Sequence, residues 1–245
     1  MVSARERSQK ADPLRGKVAV VTGASRGIGL AIAQELADAG CRLALAARFG
    51  DPRQIRSLEQ KLDAFVRPCD IRDERSVSKF FAAVKKQFGH VNVLVNNAGL
   101  VGPTRNAAQL STADWREVIE TNLTGMFLCT RAALPLMRRG ASIVNNLSVA
   151  AKQAFPGMAA YNAAKFGAAG FTNALREDLR GQGIRVIGLY PGATDTAIWE
   201  QFWPQAPRRR MMSAATIAQA VLFALTLPPE ATVEELVIAP TGGSL

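Results

Sequence analysis

Residues Lys17-Val18-Ala19-Val20-Val21-Thr22-Gly23-Ala24-Ser25-Arg26-Gly27-Ile28-Gly29 decide the fold. The short apolar run Lys17–Val21 ends at a glycine turn, and helical periodicity follows over Ile28–Ala39 until Gly40. A strand that turns through glycines into a helix opens a βαβ unit. The glycines permit a tight turn and a close backbone approach to a pyrophosphate at the helix N-terminus, where N–H groups and the helix dipole favour an anion. The spacing is G-x-x-x-G-x-G rather than the commoner G-x-G-x-x-G. Gly23, Ser25, Arg26, Gly27, Ile28 and Gly29 are the candidate contacts to a dinucleotide.

Outward from that turn the same pattern recurs. Further strands are predicted at Arg42–Ala47, Phe65–Cys69, Val91–Val95, Ser142–Leu147, Ile184–Tyr190 and Glu235–Ile238. Helices are predicted at Glu74–Phe88, ended by Gly89; across Thr112–Arg139, with Pro135 inside; over Tyr161–Arg180, ended by Gly181; and at Ser213–Leu225. Strands alternating with helices imply a parallel sheet. Right-handed crossovers make it doubly wound. The expectation is one α/β domain over 16–245, with a seven-stranded, mostly parallel sheet flanked by helices. Residues 1–15 read as a flexible basic arm. No internal repeat or linker divides the chain.

The bulk numbers narrow the function classes. The 245 residues are 48% hydrophobic and 20% charged, ordinary for a globular core. No apolar run approaches the ~20 residues that a membrane span needs. The first ten residues carry charge but no apolar signal core. Three widely spaced cysteines, Cys41, Cys69 and Cys129, fit a reduced, cytoplasmic protein better than a disulfide scaffold. His90 is the only histidine, and no metal cluster is legible. The net charge of +10 is partly local: residues 1–17 carry +3, and Arg208-Arg209-Arg210 form a second knot. That balance suits a solvated basic surface, or attraction to an anionic cofactor or an acidic carrier protein. No nucleic-acid-binding motif accompanies it.

Two local arrangements carry chemistry. In Tyr161-Asn162-Ala163-Ala164-Lys165 the tyrosine and lysine are four apart on a predicted helix, hence on one face. A free phenol has a pKa of about 10. A neighbouring ammonium favours the phenolate and would bring that value toward neutrality, making a tuned proton donor. The second arrangement lies at the end of the Arg42–Ala47 strand. An acidic residue there would bond the ribose hydroxyls of NAD. This chain has Ala47-Arg48 instead, with Arg26 in the glycine turn and Asp51 close by. Two guanidinium groups suit a 2′-phosphate in charge and geometry, so NADP(H) is preferred over NAD(H). Asp70-Ile71, after the third strand, would contact the adenine.

Read in order, these motifs resemble the short-chain dehydrogenase/reductase family, including its 3-oxoacyl carrier-protein reductases. The match runs from about Gly16 to the C-terminus. Thr22–Gly29 is similar to the family's cofactor turn, and Asn96-Asn97-Ala98-Gly99 to its NNAG motif. Asn122 in Asn122-Leu123-Thr124-Gly125 sits where the family has its catalytic asparagine. Ser148 matches the catalytic serine, and Tyr161 with Lys165 the YxxxK pair. Pro191-Gly192-Ala193-Thr194-Asp195-Thr196 matches the PG-x-x-x-T segment. The resemblance implies a Rossmann fold. It implies that Ser148 holds a substrate carbonyl, that Tyr161 exchanges the proton, and that Lys165 bonds the nicotinamide ribose and tunes Tyr161. Asn122 would hold a water in a proton relay. Asn97, Ala98, Gly99, Pro191, Gly192, Thr194 and Thr196 would complete the cofactor site. A homotetramer or dimer packed through the helices around Trp115–Arg138 and Tyr161–Arg180 is also implied.

The expected substrate loop spans about 194–212, where Trp199, Phe202 and Trp203 would form an apolar lid facing Phe155 and Met158. The function that follows is NADP(H)-dependent interconversion of a carbonyl and a secondary alcohol, in the reductive direction. The substrate would be a ketone or a 3-oxoacyl thioester, free or linked to a carrier protein. The competing class is a non-catalytic NADP-binding sensor or scaffold of the same fold.

Overall fold

The computed structural model describes residues 14–48 and 51–243. In chain order the main elements are β1 (Val18–Thr22), α1 (Gly27–Asp38), β2 (Arg42–Ala47), α2 (Pro52–Leu62), β3 (Phe65–Pro68), α3 (Glu74–Phe88) and β4 (Val93–Asn96). Then come α4 (Thr112–Ile119), α5 (Gly125–Ala133), β5 (Ser142–Asn146), α6 (Ala159–Arg180) and β6 (Arg185–Pro191). Two-residue strands β7 (Thr194–Asp195) and β8 (Met212–Ser213), α7 (Ala214–Leu225) and β9 (Glu235–Ile238) complete the order. One sheet runs β3-β2-β1-β4-β5-β6-β9, and each of its pairings is parallel. The chain winds outward from β1 to β3, then restarts at β4 and winds the other way. Strand direction therefore leaves a crevice at the carboxyl ends of β1 and β4, the switch point where such sheets take ligands.

Both faces of the sheet are covered, as the near-continuous apolar strands require. β1 is buried throughout. On one face Ile32 and Leu36 of α1 pack with Ile217 and Val221 of α7. On the other, Phe80 and Phe81 of α3 pack with Leu128 of α5 and Leu175 of α6. Within the stretch read as an arm, Leu14 is buried, and its carbonyl accepts from Lys17 N–H at 3.0 Å. Residues 1–13 of that arm lie outside the described residues.

Two further differences from the sequence reading have physical causes. α2 was not anticipated, although its signals are present: Asp51 caps it by accepting from Arg53 N–H, and Pro52 occupies the first turn. Its mostly polar sequence hides the buried contact at Leu58. The long helix expected over Thr112–Arg139 is broken. A π-helical turn, Glu120–Thr124, separates α4 from α5, and a 3-10 turn at Leu134–Leu136 ends the run where Pro135 has no N–H to continue it.

Candidate active site

A cleft of about 1310 Å³ opens at the crevice between β1 and β4. Its floor is stitched by side chains from three strand ends. Thr22 Oγ1 accepts from the backbone N–H groups of Asn97 (3.0 Å) and Ala98 (3.1 Å). Asn97 Nδ2 donates to Thr22 O (2.9 Å) and Gly23 O (3.2 Å), and its Oδ1 accepts from Asn146 Nδ2 (2.8 Å). Gly23 has φ +64°, and a Cβ there would stand 2.7 Å from Ala98 Cα. Behind the floor, Asn96 Nδ2 bonds Thr130 Oγ1 and Asn145 Oδ1, each at 2.9 Å.

The predicted cofactor residues gather along one end of this cleft, with one exception. Gly23, Ser25, Arg26, Gly27 and Ile28 line it, as do Arg48, Asp70, Ile71, Asn97, Ala98, Gly99, Pro191, Gly192, Thr194 and Thr196. Gly29 does not. It is buried, and a Cβ on it would meet Asn97 Nδ2 at 2.2 Å and Gly23 O at 2.4 Å. That closeness leaves no room for a side chain between α1 and the floor.

The charged liners belong mostly to this end. α1 begins at Arg26 with no side-chain cap, so its first N–H groups face the cleft without a side-chain acceptor. Arg26 and Arg48 are exposed and form no salt bridge among the described residues. Asp51 caps α2 and pairs with Arg53 Nε at 2.7 Å. Arg53 and Lys61 of the unanticipated α2 line the same end. The Asp70 carboxylate is gripped by Arg72, with Nη2 at 2.6 Å, and Arg72 also reaches Glu117 at 3.2 Å. That grip holds Asp70 below the ordinary carboxylate range. A helix N-terminus without a side-chain cap, a glycine cradle and two exposed guanidinium groups in one cleft fit the phosphates of a dinucleotide.

The catalytic candidates meet where the cleft crosses β5. Ser148 precedes a 3-10 turn, and its Oγ accepts from Ala150 N–H at 3.0 Å. Tyr161 stands in the first turn of α6, half-buried, near enough to the Ser148 side chain for that hydroxyl to act on its phenol. Lys165 is 5% exposed; its Nζ donates to Asn146 O at 2.9 Å and lies 5.6 Å from the Tyr161 ring centroid. Burial pushes the lysine down to about 8. The phenol departs from the sequence expectation: burial pushes it above its ordinary value, and the Ser148 contact only partly opposes this. The protein alone therefore keeps Tyr161 protonated, because the same burial that brings the ammonium close disfavours a phenolate.

Asn122 sits in the π-helical turn, almost fully buried, with both ends of its amide on Leu100: Oδ1 accepts from Leu100 N–H (3.0 Å) and Nδ2 donates to Leu100 O (2.7 Å). Its side chain positions the loop after Gly99. Asn146 is the functional residue that sequence reasoning missed, since it ties Lys165 to Asn97; only its place two residues before Ser148 hinted at it.

The far wall is aromatic. Trp199 lies 4.9 Å from Phe202 and 6.1 Å from Trp203, centroid to centroid, and its Nε1 donates to Thr194 O at 2.8 Å. Phe155, Met158, Ile198 and these rings line the cleft together. The loop is tied down at both ends, by the parallel β7–β8 pairing and by Arg208 Nε on Asp195 at 2.5 Å.

Fold and site together define an α/β oxidoreductase built for a nicotinamide dinucleotide. Residues 17–207 match the family described as short chain dehydrogenase, and the chain belongs to that family. It is 34% identical to sulfoacetaldehyde reductase 2 of Chromohalobacter salexigens, over 91% of this chain and 94% of that protein. It is 35% identical to farnesol dehydrogenase of Aedes aegypti, over 94% and 98% of the two chains. Among solved structures it is similar to an alcohol dehydrogenase from Thermococcus sibiricus complexed with 5-hydroxy-NADP. There the TM-score is 0.84, with 33% identity over 93% of this chain and 97% of that one.

Proposed function

We propose that this chain is an NADP(H)-dependent oxidoreductase that interconverts a carbonyl and a secondary alcohol, running toward reduction with Tyr161 as the acid. The observation that carries this reading is the Ser148–Tyr161–Lys165 contact set on the wall of a cleft whose other end is basic. A bound nicotinamide supplies the hydride. Ser148 donates a hydrogen bond to the substrate oxygen and orients it. Tyr161, kept protonated by its burial, delivers the proton to that oxygen as negative charge develops. Lys165, anchored on Asn146, stands beside the phenol and favours the phenolate once the proton has left. Arg26 and Arg48 select the 2′-phosphate. Thr194, at 5% exposure, and Thr196 close the cofactor end from the substrate loop.

The protein acts as a cytoplasmic homo-oligomer on this reading. Support comes from exposed Trp115, Phe127 and Phe166 on α4, α5 and α6, the helices that would pack between subunits. The test is NADPH oxidation followed at 340 nm. Tyr161→Phe is expected to lower kcat by about 10²–10⁴-fold while cofactor affinity stays within a factor of a few. A fully active Tyr161→Phe enzyme overturns the assignment. Absence of turnover by the unaltered protein with every carbonyl offered would favour the sensor or scaffold reading.

A further inference from the structure

The charges along the cleft are segregated. Arg26 of the β1 turn, Arg48 after β2, Arg53 and Lys61 of α2, and Asp70 and Arg72 after β3 line one stretch of it, with Glu117 of α4 joined to them through Arg72. Beyond Ser148 the only charged liner among the described residues is Lys165, buried and held on Asn146. The loop's own charges, Asp195, Glu200 and Arg208 to Arg210, do not line the cleft, and Arg208 is paired with Asp195. The substrate end is thus walled by Phe155, Met158, Trp199, Phe202 and Trp203, and no charged side chain of the described residues other than Lys165 lines it; Arg105, bridged through its backbone to Met158, stands outside the lining. The wall is also pre-organised, since the Trp199 indole is fixed by its bond to Thr194 and packs tilted against Phe202 at 34° between ring planes.

We infer that the substrate is a neutral carbonyl compound with apolar aromatic or alicyclic substituents, and that the cleft rejects carboxylate, sulfonate and phosphate groups near the reacting carbon. This rests on the reductase reading above. An anion entering that wall would shed its water without gaining a partner, whereas an apolar ring replaces water at no such cost. The inference separates this chain from its relative named for sulfoacetaldehyde, an anionic aldehyde, despite 34% identity over most of both chains.

The experiment is a matched pair. An aryl methyl ketone bearing a para methyl ester, and the same ketone bearing the free carboxylate, are compared by kcat/KM with NADPH, alongside sulfoacetaldehyde. The ester is expected to lead both anions by about 100-fold or more. Trp203→Arg, at a ring already 40% exposed, is expected to narrow the ester-to-carboxylate gap by about 10-fold by supplying the missing cation. Equal or faster turnover of the anions overturns the inference and leaves the reductase reading intact. An unchanged gap in a folded Trp203→Arg protein also overturns it, because the aromatic wall is then not what discriminates. Absence of turnover with all three compounds, and with simple ketones and aldehydes, overturns the reductase reading itself.

Discussion

At the β1 end of the cleft, Thr22, Asn97 and Asn146 join three strand termini through hydrogen bonds of 2.8–3.2 Å, and Gly23 and Gly29 stand where a Cβ would clash with Ala98, Asn97 or Gly23. At the opposite end, Trp199, Phe202 and Trp203 are held by ring contacts, one indole bond and an ion pair at the loop base. The first region tolerates almost no change of shape, because each group satisfies a neighbour's buried donor or acceptor. The second is a surface of apolar area whose rings can be exchanged with little effect on folding. One end fixes where a cofactor can lie; the other is free to vary with the substrate.

The contrast is broken most severely at Gly29. Gly29→Ala would force a methyl to within 2.2 Å of Asn97 Nδ2 and 2.4 Å of Gly23 O. A loss of about 3 kcal/mol or more is expected, at or beyond the upper range for overpacked cores. Trp203→Ala at the wall should cost about 1 kcal/mol or less, since the ring is 40% exposed. Urea unfolding of the two variants measures both; similar losses would erase the distinction.

A smaller effect sharpens the same contrast at Lys165, where function opposes stability. Below pH 8 this lysine is protonated in both the folded and the unfolded chain, and the folded state bears the cost of burying the charge. Between about 8 and its ordinary 10.5, the folded chain has released the proton and the unfolded chain still holds it. The unfolded state then binds more protons, so the lysine's contribution to stability rises with pH across that window. Lys165→Met is expected to abolish turnover yet raise stability at pH 7 by about 1–2 kcal/mol. Loss of the Asn146 carbonyl's donor partly offsets the gain. The advantage should fade as pH climbs toward 10.5, as thermal unfolding at stepped pH would record.

The same contrast explains what was legible in the sequence. The strands and the glycine turn were readable because apolar runs, glycines and the Asn97, Ser148, Tyr161 and Lys165 spacings are local signals. β2, α3 and β9 fall on the predicted residues throughout. What escaped depends on contacts between distant segments. α2 buries only Leu58, so its polar sequence looked like loop. The π-helical turn at Asn122 reflects the amide's two bonds to Leu100, which no periodicity encodes. Motif spacing marks Gly29 but does not report that a Cβ there would meet Asn97 Nδ2 and Gly23 O. The rise in the Tyr161 pKa was missed because helix spacing reports the neighbouring ammonium and not the burial around it. The aromatic wall was visible as residues, but its fixed geometry and its lack of charge appear only when the lining is assembled.

The most direct test of this division of labour is a crossed kinetic measurement on Arg48→Ala and Trp199→Ala. The NADPH-to-NADH ratio of kcat/KM and the KM for an aryl ketone at saturating cofactor are determined for each. The account predicts that Arg48→Ala lowers the cofactor ratio by about 10-fold or more and leaves the ketone KM within a factor of two. Trp199→Ala should raise the ketone KM by about 10-fold and leave the cofactor ratio unchanged. If each variant moves both constants alike, or if NADH leads in the unaltered enzyme, the two ends of the cleft do not have the separate tasks assigned to them.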